Sequence, residues 1–191
     1  MEEGDVTKYQ AIVIGGSAGS LAVLFEIFPV ISNDLNATII LVLHRKNSSD
    51  SSLSALLATK TQLPTKEVED KDEILPGNVY LAPADYHLLL EKNYTFSLDY
   101  SEKINFSRPS LDVTFESAAD VFGSSLVAIL LSGANDDGTS GLKAVKKAGG
   151  FTIVQKPESA QMAFMPQHAI NNADVDKIMD ISEMTTFINS L

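Results

Sequence analysis

The sequence predicts an α/β domain with a doubly wound, mostly parallel sheet, helices on both faces and a small antiparallel or mixed edge. Strand-sized runs such as "AIVIGG" and "ATIILVL" are continuously apolar, which is typical of parallel strands covered on both faces. Segments with helical spacing separate these runs, as crossover connections require. With 191 residues, we expect residues 1–191 to form one domain.

In the first half of the chain, two strand and helix pairs follow each other. "YQAIVIGG" is a predicted buried strand, and "AGSLAVLFEIFPVI" a predicted helix that Pro29 ends. "NATIILVLH" is a second buried strand that ends on His44. "SSDSSLSALLATKT" then has serine and aspartate side chains suited to cap a helix.

The middle of the chain differs, because "TKEVEDKDEILPGNVYLAPADYHLLLEKNYTFSLDY" contains short strands, a Pro-Gly turn and some alternation. We interpret it as the antiparallel or mixed edge. The alternation of helix and strand then resumes. "RPSLDVTFESAADVFG" predicts a helix capped by Ser110, "SSLVAILLSG" a buried strand, "NDDGTSGLKAVKKAGG" a loop and helix, and "FTIVQ" a strand. One or two short helices and a last strand, "DKIMDI", complete the prediction.

Composition excludes several classes of protein. The 14 basic and 25 acidic side chains leave a net charge of −11, which argues against a nucleic-acid surface. Without cysteine there is no disulfide framework, thiol nucleophile or cysteine zinc site. No signal-peptide pattern and no membrane-length apolar run is present, so we expect a cytoplasmic protein without membrane insertion. Histidine and carboxylate spacings typical of metal sites are also missing, and we expect no metal or cofactor.

A serine, a histidine and aspartates follow the ends of three predicted parallel strands. Ser17 follows the first strand, His44 ends the second, and Asp136 and Asp137 follow "SSLVAILLSG". Ligands of doubly wound sheets bind beyond the carboxyl ends of the strands. These residue types are those of nucleophilic acyl transfer, in which serine needs a base and the base needs an orienting partner.

The stretch "GGSAG", with Ser17 at its centre, matches G-x-S-x-G between a strand and a helix. That pattern is typical of a nucleophile elbow, where small neighbours allow a sharp turn that exposes the hydroxyl. The backbone N–H of Ala18 would then face an oxyanion. Neither a dinucleotide fingerprint nor a Walker phosphate loop is present. The competing interpretation is a tight strand–helix turn that has no catalytic role.

Structural roles also compete for the other candidates. Each histidine, taken alone, could be a structural hydrogen-bonding group, and His168 is expected to be one. His87 is a weaker candidate for a role in substrate binding than His44 is for the catalytic base. Asp136 and Asp137 could simply cap the following helix, and Asp137, directly before Gly138, could serve both as that cap and as the acid of a triad.

Several motifs in one order resemble the catalytic domain of the chemotaxis-receptor methylesterases, the CheB type. They are "VIGGSAGS", "LVLH", "LPGNVYLAPADYHLLL", "RPSLDVTF", "LLSGANDDGTSGLKAVKKAGG" and "QKPESAQMAFMPQHAI". The resemblance implies a catalytic triad of Ser17, His44 and Asp137 that uses no cofactor, so we expect Asp137, and not Asp136, to orient His44. It also implies hydrolysis of glutamate γ-methyl esters on cytoplasmic helices of chemoreceptors, with glutamine deamidation as a second activity.

The chain departs from the family pattern at two places. Ala18 stands where the family usually has threonine, and Phe106-Ser107 stands where a histidine is common. The resemblance also implies a phosphorylatable receiver domain, whereas only about ten residues precede the first predicted strand, too few for a domain. We expect an active site without such a cover, controlled by abundance or by a separate regulatory protein.

Local basic groups should matter if a protein of charge −11 binds an acidic receptor helix. Arg45 and Lys46 follow the proposed base and Arg108 opens "RPSLD", so these three are candidate substrate-binding residues, together with Ala134 in the loop before Asp137. A solvated loop is the alternative for Arg45 and Lys46. For the whole protein, the alternatives are a catalytically silent module that binds receptors or partners, and a hydrolase of small esters.

Overall fold

The computed structural model describes residues 9–45 and 52–191. Its strands are β1 Ala11–Gly16, β2 Thr38–Leu43, β3 Thr65–Glu67, β4 Val79–Leu81, β5 His87–Glu91, β6 Thr95–Asp99, β7 Leu126–Leu130, β8 Phe151–Gln155 and β9 Lys177–Met179. Its helices are α1 Ser20–Ile27, α2 Ser52–Ala58, α3 Leu111–Phe122, α4 Thr139–Lys147, α5 Phe164–Asn172 and α6 Ile181–Asn189. Short 3-10 turns cover Phe28–Val30, Gly123–Ser125 and Pro157–Ser159.

Seven strands form a parallel sheet in the order β3-β4-β2-β1-β7-β8-β9. Every residue of β1, β2 and β7 is buried, because both faces of the sheet are covered. One apolar cluster joins the sheet to α3, α4, α5 and the β5–β6 hairpin, and the other joins it to α1, α2 and α6. The predicted doubly wound α/β class is confirmed.

The middle region is divided between two sheets. β3 and β4 join the main sheet as parallel strands, whereas β5 and β6 form a separate antiparallel pair. The hairpin packs on α3, where Thr114 Oγ1 donates to the carbonyl of Leu88 at 2.8 Å. The antiparallel element therefore covers a helix and does not extend the main sheet, a difference from the predicted edge.

Helix ends follow the sequence signals closely. Ser110 caps α3 as predicted, since its Oγ accepts from the N–H of Val113 at 3.5 Å. Pro29 lies in the 3-10 turn that directly follows α1. Within residues 9–45 and 52–191, no helix has the length and apolarity needed to cross a membrane.

The connection order creates a switch point between β1 and β7. After β1 the chain adds β2, β3 and β4 to the sheet on one side, and it then returns to add β7, β8 and β9 on the other. Loops that leave the carboxyl ends of β1 and β7 consequently diverge, which is the usual position of a ligand site in doubly wound sheets.

Candidate active site

Strand register brings Ser17 and His44 to the same edge of the sheet. Gly16 on β1 lies opposite Leu43 on β2, so Ser17 and His44 are the next residues along these strands. The N–H of His44 donates to the carbonyl of Gly16 at 3.1 Å, and that of Ser17 to the carbonyl of Ser132 at 2.9 Å. Since neighbouring strands are about 4.8 Å apart, the ends of β2, β1 and β7 form one contiguous edge.

Small residues shape the turn that carries Ser17. Gly19 adopts a φ of +86°, a left-handed conformation that side chains rarely adopt, directly before α1. A Cβ at Gly19 would lie 2.6 Å from Gln161 Cβ, and one at Gly16 would lie 2.5 Å from Ser20 Cβ. The glycines of "GGSAG" are therefore required both by backbone conformation and by close packing.

Ser132 and Gln155 hold this turn from the neighbouring strands. The Ser132 hydroxyl donates to the carbonyl of Ala18 at 2.7 Å and accepts from the N–H of Met162 at 2.9 Å. Buried Gln155 accepts from the N–H of Ser132 at 2.9 Å. The conformation of the turn thus depends on side chains from β8 and from the loop after β7.

The Ser17 hydroxyl and the Ala18 N–H make no hydrogen bond to any residue within 9–45 and 52–191. Ser17 is half-buried and Ala18 is exposed. The helix N-terminus behind them adds unpaired N–H groups and a partial positive charge. The turn therefore offers a hydroxyl and a backbone donor to a molecule from solution.

His44 is paired with Asp137, which follows β7. Nε2 of His44 lies 2.7 Å from Oδ2 of Asp137, and Asp137 is fully buried. Asp136 is exposed, because adjacent residues point in different directions. The other ring nitrogen, Nδ1, is 3.4 Å from Ser107 Oγ, a long distance for a hydrogen bond. Nδ1 is thus the nitrogen that could reach a serine hydroxyl.

Asp137 is held as a carboxylate by a dense set of donors. Burial alone would raise its pKa, but hydrogen bonds from His44 and from the N–H groups of Leu111 and Asp112 hold the pKa below its usual range. The two N–H donors lie at 2.7 and 3.1 Å, and Ser110 Oγ adds a third bond at 2.9 Å. Because these donors belong to the first turn of α3, the helix fixes the acid in its charged form.

Asp112 makes the reciprocal contact. Its Oδ1 accepts from the N–H groups of Gly138 and Gly141 at 2.9 and 2.7 Å, at the start of α4. Thus α3 has its N-terminus bound by Asp137, from the loop directly before α4, and α4 has its N-terminus bound by Asp112 of α3. Burial, together with the charge of Asp137, raises the pKa of Asp112 to about 6.

A tight turn, Ile104–Ser107, closes the site from the side. Ile104 and Ser107 pair through both backbone hydrogen bonds, at 3.1 and 2.9 Å, while Asn105 and Phe106 have φ of +49° and +62°. Two positive φ values at the central positions are typical of a type I′ turn. Asn105 Nδ2 donates to both Asp112 and Asp137, at 3.0 and 3.3 Å. The turn is therefore tied directly to the buried carboxylates.

An open pocket of about 410 Å³ lies beside His44. Its lining consists of His44, Arg45, Asp85, Lys103, Phe106, Ser107 and Arg108. The pocket combines cationic, aromatic and hydroxyl groups, so it suits a polar ligand with an attached apolar surface.

The predicted basic residues of this pocket are already paired. Arg45 contacts Glu67 at 2.5 Å and the carbonyl of Ala82 at 3.2 Å. Arg108 binds Asp85 at 2.9 Å and lies over the Tyr100 ring at 3.8 Å. Their charges are partly neutralised, and a reversal at Arg45 would place two acids together.

Lys46 lies outside the described residues. Ala134 is exposed in the loop after β7, at the same edge as Ser17. Lys103 is the exposed pocket cation that has no ion-pair partner in the described ranges.

The other histidines have structural partners. His87 is buried; its Nδ1 accepts from the N–H of Ser110 at 3.1 Å, and its Nε2 is 2.9 Å from the carbonyl of Glu102. His87 thus supports the residue that in turn binds Asp137. His168 is on α5, and its Nδ1 lies 3.0 Å from Oγ1 of Thr139 at the start of α4.

Sequence reasoning missed Asn105, Asp112 and Lys103 as site residues. Asp112 could have been noticed as an acidic residue in the first turn of a predicted helix, but the sequence does not show that a second helix begins beside it. Asn105 and Lys103 depend on a turn that no Asn-Gly or Asp-Gly signal announces. In residues 9–45 and 52–191, no group of three or more histidine, cysteine or acidic residues is arranged to hold a metal ion.

Comparisons with known proteins identify the family of this chain. The family model described as CheB methylesterase matches residues 12–188. A protein-glutamate methylesterase/protein-glutamine glutaminase of Thermotoga maritima is 36% identical, with 88% of this chain matched to 50% of that protein. A Leptospira interrogans protein, whose name gives the same activities as a provisional assignment, is 42% identical over 93% of this chain and 92% of its own length.

The crystal structure of the Thermotoga maritima CheB methylesterase catalytic domain superposes with a TM-score of 0.90. The sequences are 34% identical, and the match covers 95% of this chain and 98% of that one. The likeness therefore extends over the whole sheet and both helical layers.

Proposed function

This chain belongs to the CheB methylesterase family, and we propose that it hydrolyses glutamate γ-methyl esters on cytoplasmic helices of chemoreceptors with Ser17, His44 and Asp137. The 2.7 Å contact between His44 and Asp137, one strand from Ser17, carries this proposal. Curated relatives that match most of this chain are named for this hydrolysis.

Acylation begins when Ser17 Oγ attacks the γ-carbonyl carbon of the substrate. His44 Nδ1 accepts the hydroxyl proton, while Asp137 holds the proton on Nε2 and stabilises the imidazolium. The carbonyl π electrons move to oxygen, and the N–H of Ala18 binds the resulting oxyanion. When the tetrahedral intermediate collapses, the C–O bond to the methoxy group breaks, and His44 returns the proton to release methanol.

Deacylation repeats these steps with water. His44 takes a proton from water as the oxygen attacks the acyl carbon, and the ester bond to Ser17 breaks. The proton then passes to Ser17 Oγ, leaving a glutamate side chain. A glutamine side chain would follow the same course with ammonia as leaving group, and "protein-glutamine glutaminase" in the relatives' names supports that second activity.

Catalysis requires a contact between Ser17 and His44 that the described conformation does not contain. Ser17 and His44 form no hydrogen bond with each other in the described ranges, where Nδ1 instead contacts Ser107 Oγ at 3.4 Å. Hydrogen bonds between catalytic groups often tighten only in the substrate complex. A bound ester would bring Ser17 Oγ and Nδ1 together.

Methanol release from a methylated receptor cytoplasmic fragment tests the proposal directly. Wild-type protein should release methanol, and Ser17→Ala should release it about 10⁶-fold more slowly. Thermal unfolding of both proteins shows whether the variant is folded. A Ser17→Ala variant as active as wild type would contradict the assigned nucleophile.

A small methyl ester, assayed in parallel, separates the alternatives. Hydrolysis of this ester with no action on the receptor fragment would indicate a small-ester hydrolase. Binding of the fragment without hydrolysis of either substrate would indicate a silent binding module.

A further inference from the structure

Phe106 is the most exposed large apolar side chain among the described residues, with 97% of its surface accessible. No aromatic side chain of residues 9–45 or 52–191 lies against its ring. The ring therefore contributes little to the folded state. A single exposed apolar residue is ordinary on a protein surface, so the location and backbone of Phe106 must decide its meaning.

The backbone at this position is unfavourable for phenylalanine. Phe106 has a φ of +62° at the second central position of the Ile104–Ser107 turn, where glycine or asparagine is the less costly residue. Neither burial nor local conformation explains the choice of residue. Positions that violate such local rules are expected at functional sites.

The turn also fixes the ring relative to the proposed catalytic groups. Asn105, directly before Phe106, donates to Asp112 and Asp137, and Ser107, directly after it, lies 3.4 Å from His44 Nδ1. Phe106 lines the same pocket as His44, together with Lys103. A molecule that reacts here and extends beyond the pocket would meet the ring.

We propose that Phe106 determines specificity for polypeptide substrates by packing against apolar side chains that flank the reactive glutamyl residue. This inference rests on the proposed function. A small ester can occupy the pocket without covering a ring that points into solvent. A polypeptide has a continuous surface, and Lys103 at the same rim suits the acidic residues of such a segment.

Paired substitutions distinguish the effect of the Phe106 ring from that of the turn conformation. Phe106→Asn removes the ring but keeps a residue that tolerates positive φ, and Phe106→Tyr keeps the ring. Tyr94→Asn is a matched control, because Tyr94 is also an exposed aromatic residue at positive φ (+59°), 48% accessible. It packs on Phe122 at the far end of α3 from the site.

The measurement is kcat/KM for the methylated receptor fragment, divided by kcat/KM for a small γ-methyl glutamate derivative. Phe106→Asn should lower this ratio about 10-fold or more, because burial of an aromatic side chain at a contact supplies that much. Phe106→Tyr should largely restore the ratio, and Tyr94→Asn should leave it within about 2-fold of wild type. Equal effects of Phe106→Asn on both substrates would overturn the proposal.

Binding gives an independent result in the Ser17→Ala background. There, Phe106→Asn should weaken binding of the receptor fragment about 10-fold, and unchanged binding would also overturn the role of Phe106. Failure of wild-type protein to release methanol from the fragment would instead contradict the proposed function. The two failures are therefore distinguishable.

Discussion

Asp137 and Asp136 are neighbours in sequence, but only Asp137 contacts His44. Asp137→Asn should lower ester turnover by about 10⁴-fold, because the amide favours the wrong imidazole tautomer. Exposed Asp136 provides the control, and Asp136→Asn should change turnover less than about 3-fold. Initial rates of methanol release at saturating substrate measure both variants. A large loss for Asp136→Asn with a mild one for Asp137→Asn would reverse the assignment.

Gly19 and Gly149 allow backbone strain to be separated from crowding. Both have a φ of +86°, but a Cβ at Gly19 would lie 2.6 Å from Gln161, whereas one at Gly149 would approach nothing closer than 3.6 Å. Gly149→Ala should cost about 1–2 kcal/mol of unfolding free energy. Gly19→Ala should cost at least about 1 kcal/mol more, and it should also reduce activity by displacing Ser17. Denaturant unfolding of both variants makes the comparison, and equal costs would refute the crowding argument.

At the level of elements, the site depends on the exchange of carboxylates between α3 and α4. Asp137 binds N–H groups of α3, and Asp112 binds N–H groups of α4. The α3–α4 crossing is close, since a Cβ at Gly141 would lie 2.6 Å from Phe115 Cβ. Helix packing and the position of the proposed catalytic acid are thus one structural feature.

This exchange predicts a pH dependence of stability. The folded pKa of Asp112 is about 6, above the 3.8 of a free carboxyl, so folded protein retains a proton that unfolded protein releases. That proton stabilises the folded state fully below about pH 4, and this stabilisation is lost as the pH rises through about 6. The free energy of unfolding should fall by up to about 3 kcal/mol over this range. Urea unfolding across this range should show the loss in wild type but not in Asp112→Asn. Parallel pH profiles of the two proteins would contradict the raised pKa.

At the scale of the whole molecule, a net charge of −11 should repel an acidic receptor helix. Since Arg45 and Arg108 are paired with acids, the exposed pocket residue Lys103 should supply much of the local attraction. Lys103→Glu should lower kcat/KM for the receptor fragment several-fold at low salt, and added salt should reduce the difference. Lys92→Glu changes the net charge equally on the β5–β6 turn, and equal losses for the two variants would refute a local effect.

The order of strands and helices was predictable because it depends on local patterns. Continuous apolar runs at β1, β2 and β7 identify buried parallel strands, and Ser110 before an apolar stripe identifies the start of α3. The parallel arrangement then implies that Ser17, His44 and Asp137 share one edge of the sheet. These inferences require only the period of the side chains and the handedness of the chain.

The Ile104–Ser107 turn, the pairing of Arg45 and Arg108 with acids, and the Asp112–Asp137 exchange were not predictable in this way. Each joins residues that the chain brings together from different elements; Arg45 and Glu67, for example, are 22 positions apart. Local patterns identify which face of an element is buried, but the partner of a polar side chain depends on how those elements pack. The candidate serine, histidine and aspartate could thus be proposed from sequence, whereas the neighbours that set the charge of Asp137 and limit access to the proposed site required the tertiary structure.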